Sequence, residues 1–429
     1  MKRVIQAVKG TRDFYPEQMA VRTWLYDTAR SVSESFGYQE YEAPMLETLQ
    51  LYAARSGDEL VREQAYVFSD RGGDQIVLRP ELTASLARMV AQRQAELAFP
   101  VRWWSFGPFW RYERPQKGRT REFFQWNVDI LGAESPESDA ENVAVLATFL
   151  RRVGLKPAQV MILVNDRRLM ERGFEKLGID SKLHPAIASW LDRRTKLPVD
   201  AWHSEGRKVG LSANGLRDLE GLVQDAELWK SSPELTRFFS TMNALGLGEY
   251  VQFDASIVRG LTYYTGTVFE AWEVAGDVRR ALLGGGRYDN LLADVGGSRL
   301  PAVGFAMGDV VMTLLLEKYR LLPEDLPVFP ASVLVTVFDK ESLLSAFQLA
   351  AELRTGGLRA AAYTEADKLP RQFRYADKIR ARLVLVHGPE ERELGVVTIK
   401  DMRDGTQQRV PRQSMITTCR QLLEAAISG

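Results

Sequence analysis

Apolar residues recur every three or four positions in several segments of the chain, and this spacing predicts helices. The first segment covers residues 16–36 and begins at Pro16, a residue that is well tolerated in the first turn of a helix. Residues 76–90 change from a short apolar strand into a second helical pattern, which opens near Pro80. Residues 308–320 predict a long apolar helix.

Extended segments predict a sheet in the same part of the chain. Residues 101–110 are rich in aromatic side chains and are followed, after a basic loop, by a predicted strand over 123–131. Strand patterns return over 250–272. Residues 166–250 carry charged helical patterns and fewer strand signals, which predicts a helical insertion between two strand-rich halves.

Three prolines within residues 322–330 predict a boundary between two domains. Residues 1–325 then form the first domain and residues 331–429 the second. In the second domain the pattern predicts, in chain order, a strand over 333–338, a helix over 341–354, a strand over 358–363, a basic helix over 368–382, strands over 383–386 and 396–400 and a helix over 412–427. About 100 residues with this alternation are typical of an independent α/β domain.

Composition narrows the class of protein. The 429 residues include 56 Lys and Arg and 56 Asp and Glu, so the formal net charge is zero. This excludes a protein that is basic throughout but leaves room for local basic surfaces. The single cysteine, Cys419, excludes a disulfide framework and suits a reducing compartment, and the 3 histidines are too few for a multi-histidine metal site. Since the sequence has neither a signal core nor a run of about 18 apolar residues, we expect a cytoplasmic protein with no membrane segment.

A basic loop leads into a strand that has one polar face. From Arg111 to Glu122 the sequence holds five basic residues against two acidic ones. In the strand that follows, Gln125, Asn127 and Asp129 alternate with apolar residues and therefore share a face. A cationic loop beside a polar strand face is typical of a site for an anionic ligand with a polar partner, although a solvated hairpin would show the same pattern.

Three further patterns are compatible with a binding site, and each also has a structural interpretation. The adjacent Tyr263 and Tyr264 would point to opposite faces of an extended run, so one of them faces a core or pocket, yet tyrosine is common in ordinary strands. The glycine run 284–286 would let backbone amides approach a ligand, or would form a tight turn. Glu81 and Thr83 stand at a strand-to-helix junction, where they could bind a ligand or cap the helix.

The order of these motifs and the residues in them closely resemble one family, the histidyl-tRNA synthetases among the class II aminoacyl-tRNA synthetases. The match runs nearly from end to end of the chain. It consists of an N-terminal signature, the three class II motifs, two histidine-specific signatures and the signature helix of an anticodon-binding domain. In chain order these segments are KGTRD at 9–13, the first motif at 37–44, the second motif at 109–132, the histidine-specific signatures at 259–270 and 283–289, the third motif from 301 and the anticodon-domain helix at 368–378.

The resemblance implies an α+β protein. An antiparallel class II catalytic sheet flanked by helices would occupy residues 1–325, with the helical insertion at about 166–250, and an α/β anticodon-binding domain would occupy residues 331–429. The implied activity is ATP-dependent ligation of histidine to its tRNA. Histidine attacks the α-phosphate of ATP to give histidyl-adenylate and pyrophosphate, and the histidyl group then passes to the 3′ end of the tRNA. The implied partners are L-histidine, ATP with Mg²⁺, the tRNA for histidine and a second copy of the chain, and no metal site built from protein ligands is implied.

The resemblance also assigns roles to individual residues. For ATP these are Arg111 at the α-phosphate, Glu113 on the adenine side, Arg119 at the outer phosphates and Phe123 stacked on the adenine. For histidine they are Glu81, Thr83 and Gln125 at the α-amino group and Asp129 and Tyr264 at the imidazole, with Tyr263 and Tyr288 in the same site. The catalytic residues would be Arg259 and Arg111. For tRNA they are Arg114 and Gln116 at the acceptor end and Arg371, Arg374 and Lys378 on the basic helix, although a solvated helix would carry the same charges.

The chain departs from the family pattern in three respects. Val311 stands where the third motif normally has an arginine that contacts the γ-phosphate of ATP, which implies a loss of about 1.5–3 kcal/mol unless another arginine replaces it. Arg287, or an arginine from the insertion, is a candidate for that replacement. Thr262 replaces a usual aspartate, and Tyr112 and Phe124 stand where histidines are frequent.

The missing arginine leaves two rival functions open. One is a synthetase-like regulatory subunit of ATP phosphoribosyltransferase, which generally lacks the anticodon-binding domain. The other is an RNA-binding paralogue without catalysis, which predicts loss of the pocket residues. Because the sequence retains both the domain and the pocket residues, it favours the active synthetase.

Overall fold

The computed structural model describes residues 4–53, 64–116, 118–191, 193–194, 197–258, 263–276, 281–324, 326 and 331–424. The chain divides into two compact units, which are Met1–Asp13 with Val21–Glu324 and Phe14–Ala20 with Asp325–Gly429. No helix within the described ranges is both long enough and apolar enough to cross a membrane.

The described residues form strands and helices in both units. The strands are β1 (Gln39–Glu40), β2 (Leu46–Thr48), β3 (Tyr66–Ser69), β4 (Gln75–Leu78), β5 (Val101–Trp110), β6 (Glu122–Leu131), β7 (Val160–Asp166), β8 (Val251–Phe253), β9 (Thr267–Glu273), β10 (Leu283–Arg287), β11 (Ala302–Gly308), β12 (Val333–Val335), β13 (Ala360–Ala362), β14 (Leu383–Val386), β15 (Val396–Asp401) and β16 (Gln407–Pro411). The helices are α1 (Pro16–Ser35), α2 (Leu49–Ala53), α3 (Thr83–Arg93), α4 (Pro136–Arg152), α5 (Arg167–Lys176), α6 (His184–Leu191), α7 (Val199–Lys208), α8 (Ala213–Gln224), α9 (Pro233–Ala244), α10 (Leu291–Asp294), α11 (Asp309–Lys318), α12 (Ser342–Thr355), α13 (Leu369–Lys378), α14 (Pro389–Leu394) and α15 (Met415–Glu424).

An eight-stranded mixed sheet organises the first unit, with the strand order β1-β5-β6-β11-β10-β9-β7-β8. Every inner pair, from β5–β6 to β9–β7, is antiparallel, and the two edge pairs β1–β5 and β7–β8 are parallel. The predicted antiparallel catalytic sheet flanked by helices is therefore confirmed, with one short parallel strand added at each edge. Helices α5 to α9 lie between β7 and β8 in the chain.

One face of the central strand β6 packs against helix α4. Trp126 is fully buried, and its ring lies 5.0 Å from the ring of Phe149 on α4 and 5.0 Å from that of Phe305 on β11. Burial of one such aromatic side chain contributes about 1.5–3 kcal/mol. Because side chains alternate along a strand, the residues next to Trp126 in sequence lie on the opposite face, where the candidate site is found.

A small antiparallel sheet of order β2-β4-β3 completes the strands of the first unit. It follows the segment that resembles the first class II motif. Several of its apolar side chains are exposed, among them Leu46 at 47%, Val67 at 38% and Phe68 at 44%.

The second unit contains a five-stranded sheet of order β13-β12-β14-β15-β16. Strand β12 is parallel to β13 and β14, and the remaining pairs are antiparallel, so the predicted α/β character is confirmed. The basic helix is shorter than the predicted 368–382, because α13 ends at Lys378. Arg380 then takes a φ of 45°, and Arg382 pairs with Asp401 through two contacts of 2.7 Å. Arg382 therefore does not belong to the exposed basic face.

Candidate active site

Strand β6 places the predicted polar side chains on the face opposite α4. Gln125 and Asp129 lie on this face, and they are the register partners of Gly308 and Gly304 on β11. A Cβ atom at position 304 would overlap the carboxylate of Asp129. Glycine at 304 therefore leaves space for that carboxylate on this face of the sheet.

Asp129 is a buried carboxyl group with a tyrosine partner. Asp129 is 6% exposed and Tyr288 is 2% exposed. The Tyr288 hydroxyl donates a hydrogen bond of 2.5 Å to Oδ1 of Asp129. Burial raises the pKa of Asp129 to about 7, the nearby Glu81 adds to that rise, and the hydrogen bond from Tyr288 opposes it. The site therefore holds a carboxyl group that ionises near neutral pH.

We expect the Asp129→Asn variant to become more stable relative to the wild type as the pH rises from about 5 to about 8. Because the pKa of Asp129 is raised from about 3.9 in the unfolded chain to about 7 in the folded protein, the folded protein binds the proton more tightly. Wild-type stability should then fall as the pH rises towards 7 and level off above it, whereas asparagine does not ionise. The difference in the free energy of unfolding should change by roughly 2–3 kcal/mol over this range. Denaturant unfolding of both proteins at the two pH values measures it, and parallel pH dependence would contradict the assigned ionisation.

The tyrosine that bonds Asp129 packs together with two further tyrosines, Tyr263 and Tyr264. The ring of Tyr264, which is 7% exposed, lies 4.7 Å from that of Tyr263, and the Tyr263 ring lies 6.3 Å from that of Tyr288 in an edge-to-face contact. Gly286 on β10 allows this packing, since a Cβ atom there would lie 2.8 Å from the Tyr264 ring. The two segments that resemble histidine-specific signatures therefore meet in one packed cluster of side chains.

Glu81 lies at the N-terminus of α3 and caps that helix. Its carboxylate accepts hydrogen bonds from the backbone N–H groups of Thr83 at 2.6 Å and Ala84 at 3.1 Å. This explains why α3 begins at Thr83 and not at the predicted Pro80. Burial raises the pKa of Glu81, while these hydrogen bonds and the positive charge of Arg111 oppose the rise. The capping interpretation of the sequence is thus confirmed, and it places the carboxylate within the electrostatic reach of Arg111.

Arg111 follows the end of β5 and lies next to the aromatic side chain of Phe123. Its guanidinium carbon is 5.2 Å from the centre of the Phe123 ring, and its Nε donates to the carbonyl oxygen of Pro80 at 3.0 Å. Burial lowers the pKa of Arg111, and the charges of Glu113 and Glu81 oppose this. The Phe123 ring in turn stacks on Phe109 at 6.0 Å. The arrangement fixes a cation and an aromatic ring beside the N-terminal end of β6, the end away from Asp129.

The loop between β5 and β6 holds an ion pair between two of the predicted ATP-binding residues. Arg119 Nε lies 2.6 Å from Oε2 of Glu113, and the two side chains are 47% and 12% exposed. Gln116 and Arg119 exchange backbone hydrogen bonds of 3.0 and 2.8 Å, which closes the loop, and Arg114 is exposed. The structure thus brings two of the predicted ATP-binding residues, Glu113 and Arg119, together.

Arg287 is buried and fully paired, so the hypothesis that it replaces the missing third-motif arginine is wrong. Its guanidinium group contacts Asp139 at 2.5 and 3.2 Å, and both residues are 2% exposed or less. The remaining N–H groups bond to the Ala133 carbonyl at 2.9 Å, the Ser138 hydroxyl at 3.1 Å and the Asp289 carboxylate at 3.3 Å. These partners account for the five N–H donors of an arginine. No donor of Arg287 remains for a phosphate.

Comparison with known proteins shows the family of the chain. A family model described as histidyl-tRNA synthetase matches residues 10–309. The chain belongs to the histidyl-tRNA synthetase family. A second model, described as an anticodon binding domain, matches residues 332–422. The class II resemblance seen in the sequence is therefore confirmed.

Individual relatives match this histidyl-tRNA synthetase chain over nearly its full length. The chloroplastic/mitochondrial histidine–tRNA ligase of Arabidopsis thaliana is 38% identical, with 94% of this chain and 84% of the relative covered. The histidine–tRNA ligase of Pyrococcus abyssi is 35% identical, with 98% and 100% covered. The crystal structure of histidyl-tRNA synthetase from Nostoc sp. PCC 7120 shares the fold, with a TM-score of 0.82 at 24% identity over 98% of this chain and 100% of that one.

One predicted site residue, and one of the departures from the family pattern, lie outside the described part of the chain. Arg259, the second residue predicted to be catalytic, and Thr262 lie in the undescribed residues 259–262. Val311 is described, and it packs on α11 against the core of the first unit. Within the described residues, no group of three or more His, Cys, Asp and Glu side chains could hold a metal ion.

Sequence motifs do not single out two residues that border the pocket, Tyr41 and Trp103. Trp103 on β5 is the register partner of Asp129, and the rings of Tyr41 and Trp103 lie 5.4 Å apart. Pairing the predicted strands 101–110 and 123–131 in register would have placed Trp103 beside Asp129. Tyr41 had no such signal, because it precedes those strands by some 60 residues of intervening sequence.

Proposed function

We propose that this protein is a histidine–tRNA ligase, which activates histidine as histidyl-adenylate with ATP and transfers it to the 3′ end of its tRNA. The main support for the proposal is that two pairs of residues share one face of the sheet. The first pair is buried Asp129 with Tyr288, and the second is Arg111 with Phe123. Such a pocket suits a ligand with a polar ring at one end and a phosphate ester at the other. The family to which the chain belongs supports the same conclusion.

Arg111 is proposed to act in the activation step. The histidine carboxylate and the α-phosphate are both anions, so a fixed cation between them lowers the cost of their approach and stabilises charge in the transition state. Arg111 is held for this role by Pro80 and Phe123. Arg259 is proposed as the second catalytic residue on the strength of its motif position.

The imidazole end of histidine is proposed to bind at Asp129. One oxygen of its carboxylate accepts from Tyr288, which leaves lone pairs for a ring N–H of the substrate. Tyr264 and Tyr263 would enclose the ring, and Gln125, Glu81 and Thr83 would bind the α-amino group. An amino acid without a ring donor would leave the buried carboxyl group unpaired, so the pocket should reject it strongly.

ATP is proposed to bind along the loop between β5 and β6. Phe123 would stack on the adenine, Glu113 would contact its polar edge and Arg119 would bind the outer phosphates. Since Arg119 forms an ion pair with Glu113, ATP would have to compete for this guanidinium group. With Val311 in the third motif and Arg287 fully paired, we propose that Arg119 is the main described ligand of the outer phosphates. Magnesium enters as part of the MgATP substrate and is held largely by phosphate oxygens.

The second unit is proposed to bind the anticodon stem through helix α13. Arg374 and Lys378 on this helix are exposed, and Arg371, which is 70% exposed, forms a single ion pair of 3.0 Å with Asp367. Exposed cations spaced along one helix suit contacts with the phosphate backbone. Arg114 and Gln116 in the loop of the first unit would meet the acceptor end.

We expect the Arg374→Glu variant to raise the KM for tRNA in the charging reaction by about tenfold, since it removes one phosphate contact and adds a repulsive charge. The slope of the logarithm of tRNA affinity against the logarithm of salt concentration should become less steep by about one. Histidine-dependent ATP–pyrophosphate exchange, which needs no tRNA, should not change. Arg409→Glu is the matched control, because it makes the same charge change on β16, where Arg409 pairs with Glu390. Equal effects of the two variants would contradict a specific role for α13.

We also propose that the protein is a homodimer that associates through the first-motif region. The exposed apolar side chains of the small sheet, together with Met45 at 47% exposure, form a surface that a second copy would cover. The division into a catalytic domain over 1–325, an insertion at about 166–250 and an anticodon-binding domain over 331–429 belongs to the same proposal. A reducing compartment such as the cytoplasm belongs to the proposal because the single cysteine, Cys419, cannot form a disulfide within the chain.

Charging of tRNA tests the proposed function. Purified protein, ATP and bulk tRNA should give acid-precipitable radiolabel with L-histidine and none with the other amino acids tested singly. Labelling with a different amino acid would assign another specificity. Binding of tRNA without any labelling would favour the RNA-binding paralogue.

A further inference from the structure

Tyr41 is a buried residue whose hydroxyl group lies beside the histidine pocket. The residue is 9% exposed, and its hydroxyl has no hydrogen-bond partner among the described residues. An unpaired hydroxyl in a protein interior is unfavourable, so most buried polar groups in native proteins have a hydrogen-bond partner. A buried hydroxyl without such a partner beside a binding site therefore points to a ligand.

The surroundings of Tyr41 place this hydroxyl on the pocket side of the sheet. Its backbone N–H donates to the Trp104 carbonyl at 2.9 Å, which fixes the residue against strand β5. Its ring packs on Trp103 with a centroid distance of 5.4 Å, and Trp103 is the register partner of Asp129. Residues directly opposite each other in an antiparallel pair share a face of the sheet. Tyr41 therefore lies over the face that carries Asp129.

Packing and electrostatics agree with this position. Tyr41 belongs to the same buried cluster as Tyr264 and Tyr288. Burial raises the pKa of Tyr41, and the negative charges of Asp129 and Glu81 add to the rise, so both carboxylates lie within its electrostatic reach. The phenol consequently stays neutral and can donate or accept one hydrogen bond at any working pH.

We propose that the Tyr41 hydroxyl hydrogen-bonds the imidazole end of bound histidine and is thus a further specificity residue of the pocket. This inference rests on the proposed function, because it takes histidine as the ligand. A hydroxyl group that can donate or accept matches either ring nitrogen, so it complements Asp129, whose ionised carboxylate only accepts. The residue lies in the segment that resembles the first class II motif, to which the resemblance assigns a role in dimerisation and none in substrate binding.

Equilibrium binding of L-histidine to the full-length Tyr41→Phe variant tests the proposal. Phenylalanine keeps the ring that packs on Trp103 and removes only the hydroxyl. The dissociation constant measured by calorimetry should rise about three- to tenfold. In ATP–pyrophosphate exchange the KM for histidine should rise by the same factor, while kcat and the KM for ATP stay within about twofold. Histidinol, which keeps the imidazole and lacks the carboxylate, should lose affinity by the same factor as histidine.

Tyr38→Phe is the matched control, because Tyr38 is 3% exposed and lies in a different core cluster from Tyr41. It should leave histidine affinity unchanged. The proposal is overturned if Tyr41→Phe binds histidine as the wild type does, if Tyr38→Phe weakens binding equally, or if the KM for ATP rises together with that for histidine. Wild-type protein that binds histidine but shows no exchange would contradict the proposed function alone, since the binding comparison would still decide the role of Tyr41.

Discussion

Replacing Arg287 by alanine should lower the free energy of unfolding by about 3–5 kcal/mol. The change leaves the carboxylate of Asp139 buried without its counter-ion, and burial already raises the pKa of Asp139 against the opposing charge of Arg287. It also removes the donors that hold Ser138, Asp289 and the Ala133 carbonyl. Denaturant unfolding followed by circular dichroism measures the loss.

A double variant separates the charge effect from general damage. In Arg287→Met with Asp139→Leu both charges are absent, so the part of the loss that comes from the unpaired buried carboxylate should return, while the loss of the hydrogen bonds to Ser138, Asp289 and the Ala133 carbonyl remains. The milder Arg287→Lys variant should keep the KM for ATP within about twofold, because the guanidinium group faces Asp139 and not a phosphate. A rise in the KM for ATP without loss of stability would instead restore Arg287 as a phosphate ligand.

Replacing Arg111 by glutamine should lower the kcat of histidine-dependent ATP–pyrophosphate exchange by about 10²–10³-fold. The variant removes the fixed cation that is proposed to lie between the two reacting anions, and glutamine retains a neutral, shorter side chain with N–H donors. Stability should fall much less than activity, because the main protein contacts of Arg111 are one hydrogen bond to Pro80 and the face of Phe123. Steady-state exchange kinetics with saturating histidine and ATP measure the effect.

Arg114→Gln is the control for Arg111→Gln, since it makes the same chemical change three positions along the same loop. Arg114 is exposed and is proposed to contact the acceptor end of the tRNA. Exchange without tRNA should therefore be unaffected, while the transfer of histidine to tRNA should slow. If both variants lost exchange equally, the loop as a whole, and not the cation at position 111, would control activation.

Sequence patterns predicted the helices and strands that depend on the spacing of residues close together in the chain. The alternation of Gln125, Asn127 and Asp129 with apolar residues predicted both strand β6 and its polar face, because side chains on a strand alternate with a period of two. The spacing of apolar residues predicted α1 and α11 to within about two residues. The same reasoning overextended the basic helix, since the chain leaves the helix after Lys378 although the basic residues continue to Arg382.

Long-range pairing explains what the sequence could not predict. Arg287 was a candidate for the phosphate ligand missing at position 311, but its partner Asp139 is 148 positions away in the chain. Glu81 was compatible with a helix cap and with a ligand, and only the positions of Thr83 and Arg111 show that one carboxylate faces both. The orphan hydroxyl of Tyr41 likewise becomes visible only when the strands are paired.

Amino-acid-dependent ATP–pyrophosphate exchange by the wild-type protein tests the central claim most directly, because it requires the histidine pocket and the ATP site to work together without tRNA. The protein should catalyse exchange with L-histidine and should be inactive with each of the other amino acids, even though Val311 stands in the third motif and Arg287 is fully paired. Absence of histidine-dependent exchange from protein that folds and binds tRNA would contradict the assignment of this pocket as the site of histidine activation.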